Sequence, residues 1–191
     1  MRIVAGRNRG LPLAGLGPGD PSAHLRPTSD RVRESLFNLL AARDDVVLEG
    51  ARVLDLFAGT GALGLEALSR GAAEAVFVDD GATARALLRE NIGRAKAQGQ
   101  TRVFRRDATA LGEVRGAPFG LVFLDPPYAQ ELGARALASA EAGGWLSPGA
   151  TIVWEESAPQ PPPPGFALLD ARRYGDTHLT ILRAPGAPAP G

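Results

Sequence analysis

The sequence predicts an α/β fold: a seven-stranded, mostly parallel sheet with helices on both faces. Three observations predict it. From residue 51 onward, short apolar runs alternate with segments of helical period. Glycines cluster where the first of those runs hands over to a helix. The last two apolar runs follow each other with no helix between them. Parallel strands need crossovers that pass over a face of the sheet, so interleaved helices imply a sheet covered on both sides. Strands joined without a helix pair antiparallel, which puts the final two at one edge.

Residues 1–25 are basic and punctuated by Gly and Pro, as in a small hairpin or extended arm running into a loop. A helix then opens at Pro27-Thr28-Ser29-Asp30. Thr28 or Ser29 can cap it, and Asp30 falls in the first turn, where the helix dipole favours negative charge. Val32, Leu36, Leu39 and Leu40 would form its apolar face. Strands are expected at 52–57, 75–79, 101–105, 121–125 and 150–155, and helices over 61–69, 83–97 and 131–142. The edge pair is expected at 166–169 and 177–182. The proline-rich run Pro159–Pro164 excludes a helix or strand interior there, and the tail 185–191 is expected to be disordered. The expected division is an arm over 1–25, one domain over 26–184, then the tail.

Composition excludes several kinds of chemistry. The chain of 191 residues has no cysteine, so disulfides and thiol nucleophiles are ruled out. Its two histidines, His24 and His178, are far apart in sequence, and no metal site is expected. No apolar run approaches a membrane span, and the N-terminal residues lack a signal-peptide layout, so a soluble cytoplasmic protein is expected. Net charge is zero, but residues 1–43 hold seven arginines against Asp20, Asp30 and Glu34. That local excess suits a polyanionic partner, although a solvated arm in an arginine-biased sequence is the alternative.

Two motifs carry chemistry. Gly59, Gly61 and Gly64 fit G-x-G-x-x-G between a strand ending in Asp55-Leu56-Phe57 and a helix, and Asp79 ends the next strand 20 residues beyond Gly59. This is the context of a Rossmann unit that holds a ribose, where glycines let backbone approach the ligand and the acid takes the hydroxyls. The pattern alone does not separate NAD, FAD and S-adenosylmethionine.

The second motif is Asp125-Pro126-Pro127-Tyr128 at the end of the fourth strand. Paired prolines forbid a helix start and lock an extended corner, which projects the Asp125 carboxylate and nearby carbonyls into the crevice beyond the strand ends. A planar base stacked on Tyr128 could give its amine hydrogens to Asp125 and the Pro126 carbonyl. Such an amine is a poor nucleophile because its lone pair is delocalised into the ring. Two acceptors draw it toward tetrahedral geometry and stabilise the charge that develops on nitrogen. A weaker element is Asp107-Ala108 after the third strand, where the acid can meet an adenine amino group; a surface acid in a turn is the alternative.

These residues resemble the amino-methyltransferases marked by a (D/N)PPY tetrad, and more narrowly the bacterial RsmD family. The narrower likeness rests on Met1–Gly6 with Arg9-Gly10, on Arg26–Glu34, and on Tyr174-Gly175-Asp176-Thr177, besides the two motifs. It implies a Rossmann-like class I fold with an antiparallel last strand, and methylation of a guanine N2 amine in 16S ribosomal RNA. It also implies S-adenosylmethionine held by Asp55, Phe57, Ala58, Gly59, Thr60, Gly61, Asp79, Asp107 and Ala108. The catalytic set would be Asp125, Pro126, Pro127 and Tyr128. The arm and first helix would help close the pocket and grip RNA through Arg7, Arg9, Arg26, Arg31 and Arg33. The expected partner is 16S ribosomal RNA or a small-subunit assembly particle, and the expected state a monomer. The chain departs from the family at Asp79, where Glu is usual, and near Asn8, where an aromatic is usual. Asp80 is a second candidate for the ribose. Rival readings are amino-methylation of adenine or cytosine in DNA or another RNA, a dinucleotide-dependent oxidoreductase, and a noncatalytic RNA-binding module.

Overall fold

The computed structural model describes residues 1–16, 28–127 and 131–186. Arg26, His24 and Tyr128, with the loop 17–27 and the tail from 187, lie outside that set.

In chain order the elements are α1 (Asp30–Ala41), β1 (Arg52–Leu56), α2 (Ala62–Ser69), β2 (Glu74–Val78), α3 (Ala82–Arg94), β3 (Thr101–Phe104), β4 (Phe119–Leu124), α4 (Leu132–Ala142), β5 (Leu146–Glu156), β6 (Ala167–Tyr174) and β7 (Thr177–Arg183). The strands form one seven-stranded sheet in the order β3-β2-β1-β4-β5-β7-β6. Strands β1 to β5 run parallel, while β7 is antiparallel to both β5 and β6. The expected Rossmann-like sheet is therefore present.

Strand residues alternate between two cores. Val76, Leu54, Val122, Ile152 and Leu182 form one cross-strand row, packed with Leu137 and Ala140 of α4. On the opposite face Phe77, Phe123, Val153 and Ile181 pack with Leu36, Phe37 and Leu40 of α1, Leu65 and Leu68 of α2, and Leu88 and Ile92 of α3. Each such side chain contributes about 1.5–3 kcal/mol on burial. Helices thus cover both faces, as expected.

Ser29 caps α1, its hydroxyl accepting the Val32 N–H at 3.3 Å. The buried face of α1 is Arg33, Leu36, Phe37 and Leu40, rotated from the expected stripe so that Val32 and Leu39 are half-buried. Two contacts set that rotation: Phe37 meets Phe123 with ring centroids 5.6 Å apart, and Arg33 reaches a buried acid on α2. Strand β6 continues to Tyr174, past the expected end, through Asp170, Arg172 and Arg173. As an edge strand it needs only the β7 ladder, so polar side chains there are compatible with pairing. Helix α3 ends before the expected Ala97 because Lys96 turns to φ +53°.

The arm is a hairpin laid on the domain. Ile3 and Leu11 pair through the Ile3 N–H at 2.9 Å, and Leu13 donates to the Met1 carbonyl at 3.1 Å. Ile3 and Leu13 are buried in the same core as α1.

Candidate active site

Asp55 begins the site. Its row across the sheet is Phe77, Asp55, Phe123, Val153 and Ile181, so one carboxyl sits in an otherwise apolar row and is only 1% exposed. Its Oδ2 accepts the Gly64 N–H at 2.9 Å, which holds the first turn of α2 against β1. Burial outweighs that bond and pushes the Asp55 carboxyl up to about 8, with the Asp79 charge adding to the rise. Asp55 therefore supports the glycine turn from behind.

The turn leaves β1 through Phe57, which adopts φ +58°. An aromatic residue in that region costs about 1–3 kcal/mol, and strain of this kind concentrates at functional sites. The Ala58 N–H donates to the Val78 carbonyl at 3.1 Å and the Gly61 N–H to the Ala58 carbonyl at 2.7 Å, closing the turn. The three glycines have different reasons. Gly61 has φ +79°, and a Cβ there would lie 2.3 Å from Leu88 Cδ1; at Gly64 it would lie 2.4 Å from the Phe77 ring. Both serve close helix–strand packing. Of the three, Gly59 alone faces open space, its nearest atom being the Phe57 carbonyl oxygen at 3.9 Å, so its backbone is bare on that side.

Asp79 completes that cradle. Its Oδ2 accepts the Gly59 N–H at 2.9 Å and its Oδ1 the Gly81 N–H at 2.8 Å. Burial raises its pKa against those two bonds. Asp80 is exposed, and no side-chain bond ties it to the turn among the described residues, so Asp79 is the acid the fold has built in. Thr60 is buried and turned toward the arm, with its Oγ1 3.7 Å from Met1 Sδ. Asp107 is exposed after β3 and caps a short turn, its Oδ1 accepting the Thr109 N–H and Oγ1 each at 2.7 Å. Those bonds hold its carboxyl below the usual range, led by the Thr109 hydroxyl. Ala108 is buried behind it.

The acid–proline corner lies beside this cradle. The Asp125 N–H points to the Leu56 carbonyl at 3.5 Å, which joins the corner to the start of the glycine turn. Asp125 is partly exposed, Pro126 is buried and Pro127 half-buried. Because Leu124 pairs with Trp154, the register sets Asp125 beside Glu155 at the end of β5. Glu155 is 4% exposed and accepts the Thr28 hydroxyl at 2.5 Å, just before α1. Burial pushes the Asp125 carboxyl well above the carboxylate range, and Glu155, Asp55 and Glu156 push it further. Burial raises Glu155 too, against the Thr28 bond and together with Glu156.

Sequence reasoning missed Glu155 and Thr28. The signal was present: β1, β2, β4 and β5 all carry an acid at or just past their C-terminal ends, where α/β crevices open. It also missed two buried polar residues that fasten the arm. Glu66 of α2 accepts the Val4 and Ala5 N–H groups at 2.8 and 3.0 Å, and Asn91 of α3 donates to the Ala14 and Thr60 carbonyls at 3.0 and 2.9 Å.

Of the arginines expected to face RNA, Arg7, Arg9 and Arg31 are exposed, although Arg7 is tied to the Gln100 side chain. Arg33 is a correction. It is fully buried, 3.6 Å from Glu66 and 2.8 Å from Asp30, and it donates to the Thr28 carbonyl at 3.3 Å. An alternating charge pattern in α1 hid that one of its arginines has a buried partner. The described residues hold no cluster of metal-binding side chains, and none of their helices is long and apolar enough to cross a membrane.

The cradle suits a nucleoside-bearing cofactor: bared backbone at Gly59, an anchored acid at Asp79 and an acid–proline corner within one strand. A family described as Conserved hypothetical protein 95 matches residues 1–183. The Ribosomal RNA small subunit methyltransferase D of Escherichia coli K12 is 43% identical over 156 residues, 81% of this chain and 74% of that one. Its namesake from Haemophilus influenzae is 36% identical over 180 residues, 92% and 89% of the two chains. Among solved structures, yhhF of Escherichia coli superposes with a TM-score of 0.80 at 36% identity, covering 97% of this chain and 98% of that one. This chain belongs to that family and is an RsmD-family methyltransferase with a Rossmann-like class I fold.

Proposed function

We propose that the chain uses S-adenosylmethionine to methylate the exocyclic N2 amine of a guanine in small-subunit ribosomal RNA. The names of its relatives support a ribosomal RNA target. The observation that carries the reading is the short span between the Asp79-anchored glycine turn and the Asp125 corner, bridged at Leu56.

Gly59 and Asp79 would hold the ribose end of the cofactor, with Phe57, Ala58 and Gly61 shaping the turn and Asp107 and Ala108 beside the adenine. Asp55 and Thr60 act from behind. S-adenosylmethionine supplies an electrophilic methyl on a sulfonium. Asp125 and the Pro126 carbonyl accept the two amine hydrogens and localise the nitrogen lone pair, while Tyr128 offers a stacking face and Pro127 keeps the corner rigid. With the cofactor bound, its methyl would pass to the nitrogen held by these residues, the sulfur would keep the electrons of the carbon–sulfur bond, and the proton released from nitrogen would go to solvent. A base must be unpaired or opened to enter.

The test is methylation of small-subunit RNA and particles from cells lacking the protein, with the product mapped by mass spectrometry. N2-methylguanine is expected; methyladenine, methylcytosine or a duplex-DNA product would replace the target. Asp125→Ala is expected to abolish turnover with S-adenosylhomocysteine affinity nearly unchanged, and retained turnover would overturn the acceptor role.

A further inference from the structure

Three neighbouring strands end in acids, and among the described residues none of these acids has an ion pair with an arginine or lysine. Asp55 lies in β1, Asp125 follows β4 and Glu155 belongs to β5; the β4–β5 ladder ends with Leu124 opposite Trp154, so Asp125 and Glu155 are the next residues on the two strands, two positions beyond Phe123 and Val153 in the row that holds Asp55. Glu156 adds to the same field. From the other packed elements, α1 contributes Arg33, whose guanidinium goes to the Thr28 carbonyl, Asp30 and Glu66. Strand β7 contributes His178, paired in register with Glu156, and Leu179 opposite Glu155. Asp79 approaches from β2. Two neighbouring carboxylates, one of them only 4% exposed, cannot both ionise cheaply unless a cation joins them.

We propose that Glu155, clamped by Thr28, is a positioning residue for Asp125 that keeps the pair short of one negative charge until a cationic cofactor enters. The inference rests on the proposed S-adenosylmethionine reaction and deepens it. A sulfonium beside the pair favours its ionised form, so a proton leaves for solvent and Asp125 becomes a full acceptor when methyl donor is present. Loss of the methyl leaves a neutral thioether, the pair takes the proton back, and the product is held less tightly. The cleft thereby tells donor from product by charge.

Calorimetry on the intact protein tests this. Affinities for S-adenosylmethionine and S-adenosylhomocysteine are measured from pH 6 to 8 in two buffers of different ionisation enthalpy. In the natural chain the donor is expected to release more protons than the product. Its affinity should rise relative to the product by up to about tenfold per pH unit within the window where the pair loses its proton. Glu155→Gln should remove that extra dependence, and the ligands' own titration cancels in the comparison of variant with natural chain. Thr28→Val, nearly the same size, should shift the window to higher pH, because it deletes the bond that favours charged Glu155; it serves equally if Glu155→Gln does not fold. Equal proton release by both ligands, a dependence that survives Glu155→Gln, or a window that Thr28→Val does not move overturns the proposal while leaving the methyltransferase reading intact. Failure to bind either ligand overturns both.

Discussion

Glu66 on α2 accepts the backbone N–H of Val4 at 2.8 Å, so a carboxylate of the domain core holds the arm in place. The same group takes the Ala5 N–H, the Arg70 guanidinium at 2.8 Å and the Arg33 guanidinium at 3.6 Å, and it is fully buried. Glu66→Ala orphans two N–H groups, takes from buried Arg33 one of its two acidic partners and removes the acid that pairs with Arg70. A loss of about 3–5 kcal/mol is expected from breaking such a buried pair. At about 2–4 °C per kcal/mol for a chain of this size, Tm should fall by roughly 10 °C. Trypsin should also cut sooner after Arg7 and Arg9. An unchanged urea midpoint would show that the arm is held by other contacts.

Asp79 and Asp80 separate cleanly by experiment. Asp79 fixes Gly59 and Gly81 through both of its oxygens. Asp79→Ala leaves two N–H groups without acceptors, at about 1–3 kcal/mol each where buried, and loosens the turn. S-adenosylhomocysteine affinity is expected to fall by about ten- to a hundredfold, measured by calorimetry, whereas Asp80→Ala should leave it within about twofold. The reverse ranking would assign the ribose to Asp80.

Much of this was legible in the sequence, for identifiable reasons. Strand positions follow from apolar runs because parallel strands are buried on both faces, and Gly59, Gly61 and Asp79 follow from fixed spacing. What spacing does not reveal is which buried polar groups meet across the chain. Arg33 is expected to grip RNA, yet its partner Glu66 lies 33 positions away and shows only after α1 docks on α2. Glu155 reads as the end of a strand until the register puts it beside Asp125. Nor does spacing separate a ligand-facing glycine from one packed on a neighbour, as Gly64 is on Phe77.

Asp55 makes stability depend on pH. In the folded chain its carboxyl keeps its proton to about 8, while the unfolded chain releases it near 3.8. Between those values the native state binds more protons, so stability is fully present below the lower value and declines as pH rises toward the upper. Asp125 and Glu155 shift in the same direction and add to the decline. One such group gives a slope of at most about 1.4 kcal/mol per pH unit. Urea unfolding at pH 5, 6, 7 and 8 should show stability falling, and Asp55→Asn, which keeps an acceptor for Gly64, should flatten the curve. Parallel curves would mean that Asp55 is already charged at neutral pH.

Arg33 and Arg9 should give opposite results in paired assays. Arg9 is exposed on the arm, and its charge has no ion pair among the described residues, so it is free to neutralise a phosphate. Each lost phosphate contact on single-stranded RNA should lower the slope of log K against log salt by about 0.7. Arg9→Ala is therefore expected to reduce that slope with the urea midpoint unchanged. Arg33→Ala removes a buried guanidinium and leaves Glu66 with only Arg70, so the midpoint should drop while the salt slope of the surviving folded protein stays as it was. A reduced slope for Arg33→Ala at full stability would return that residue to the RNA face.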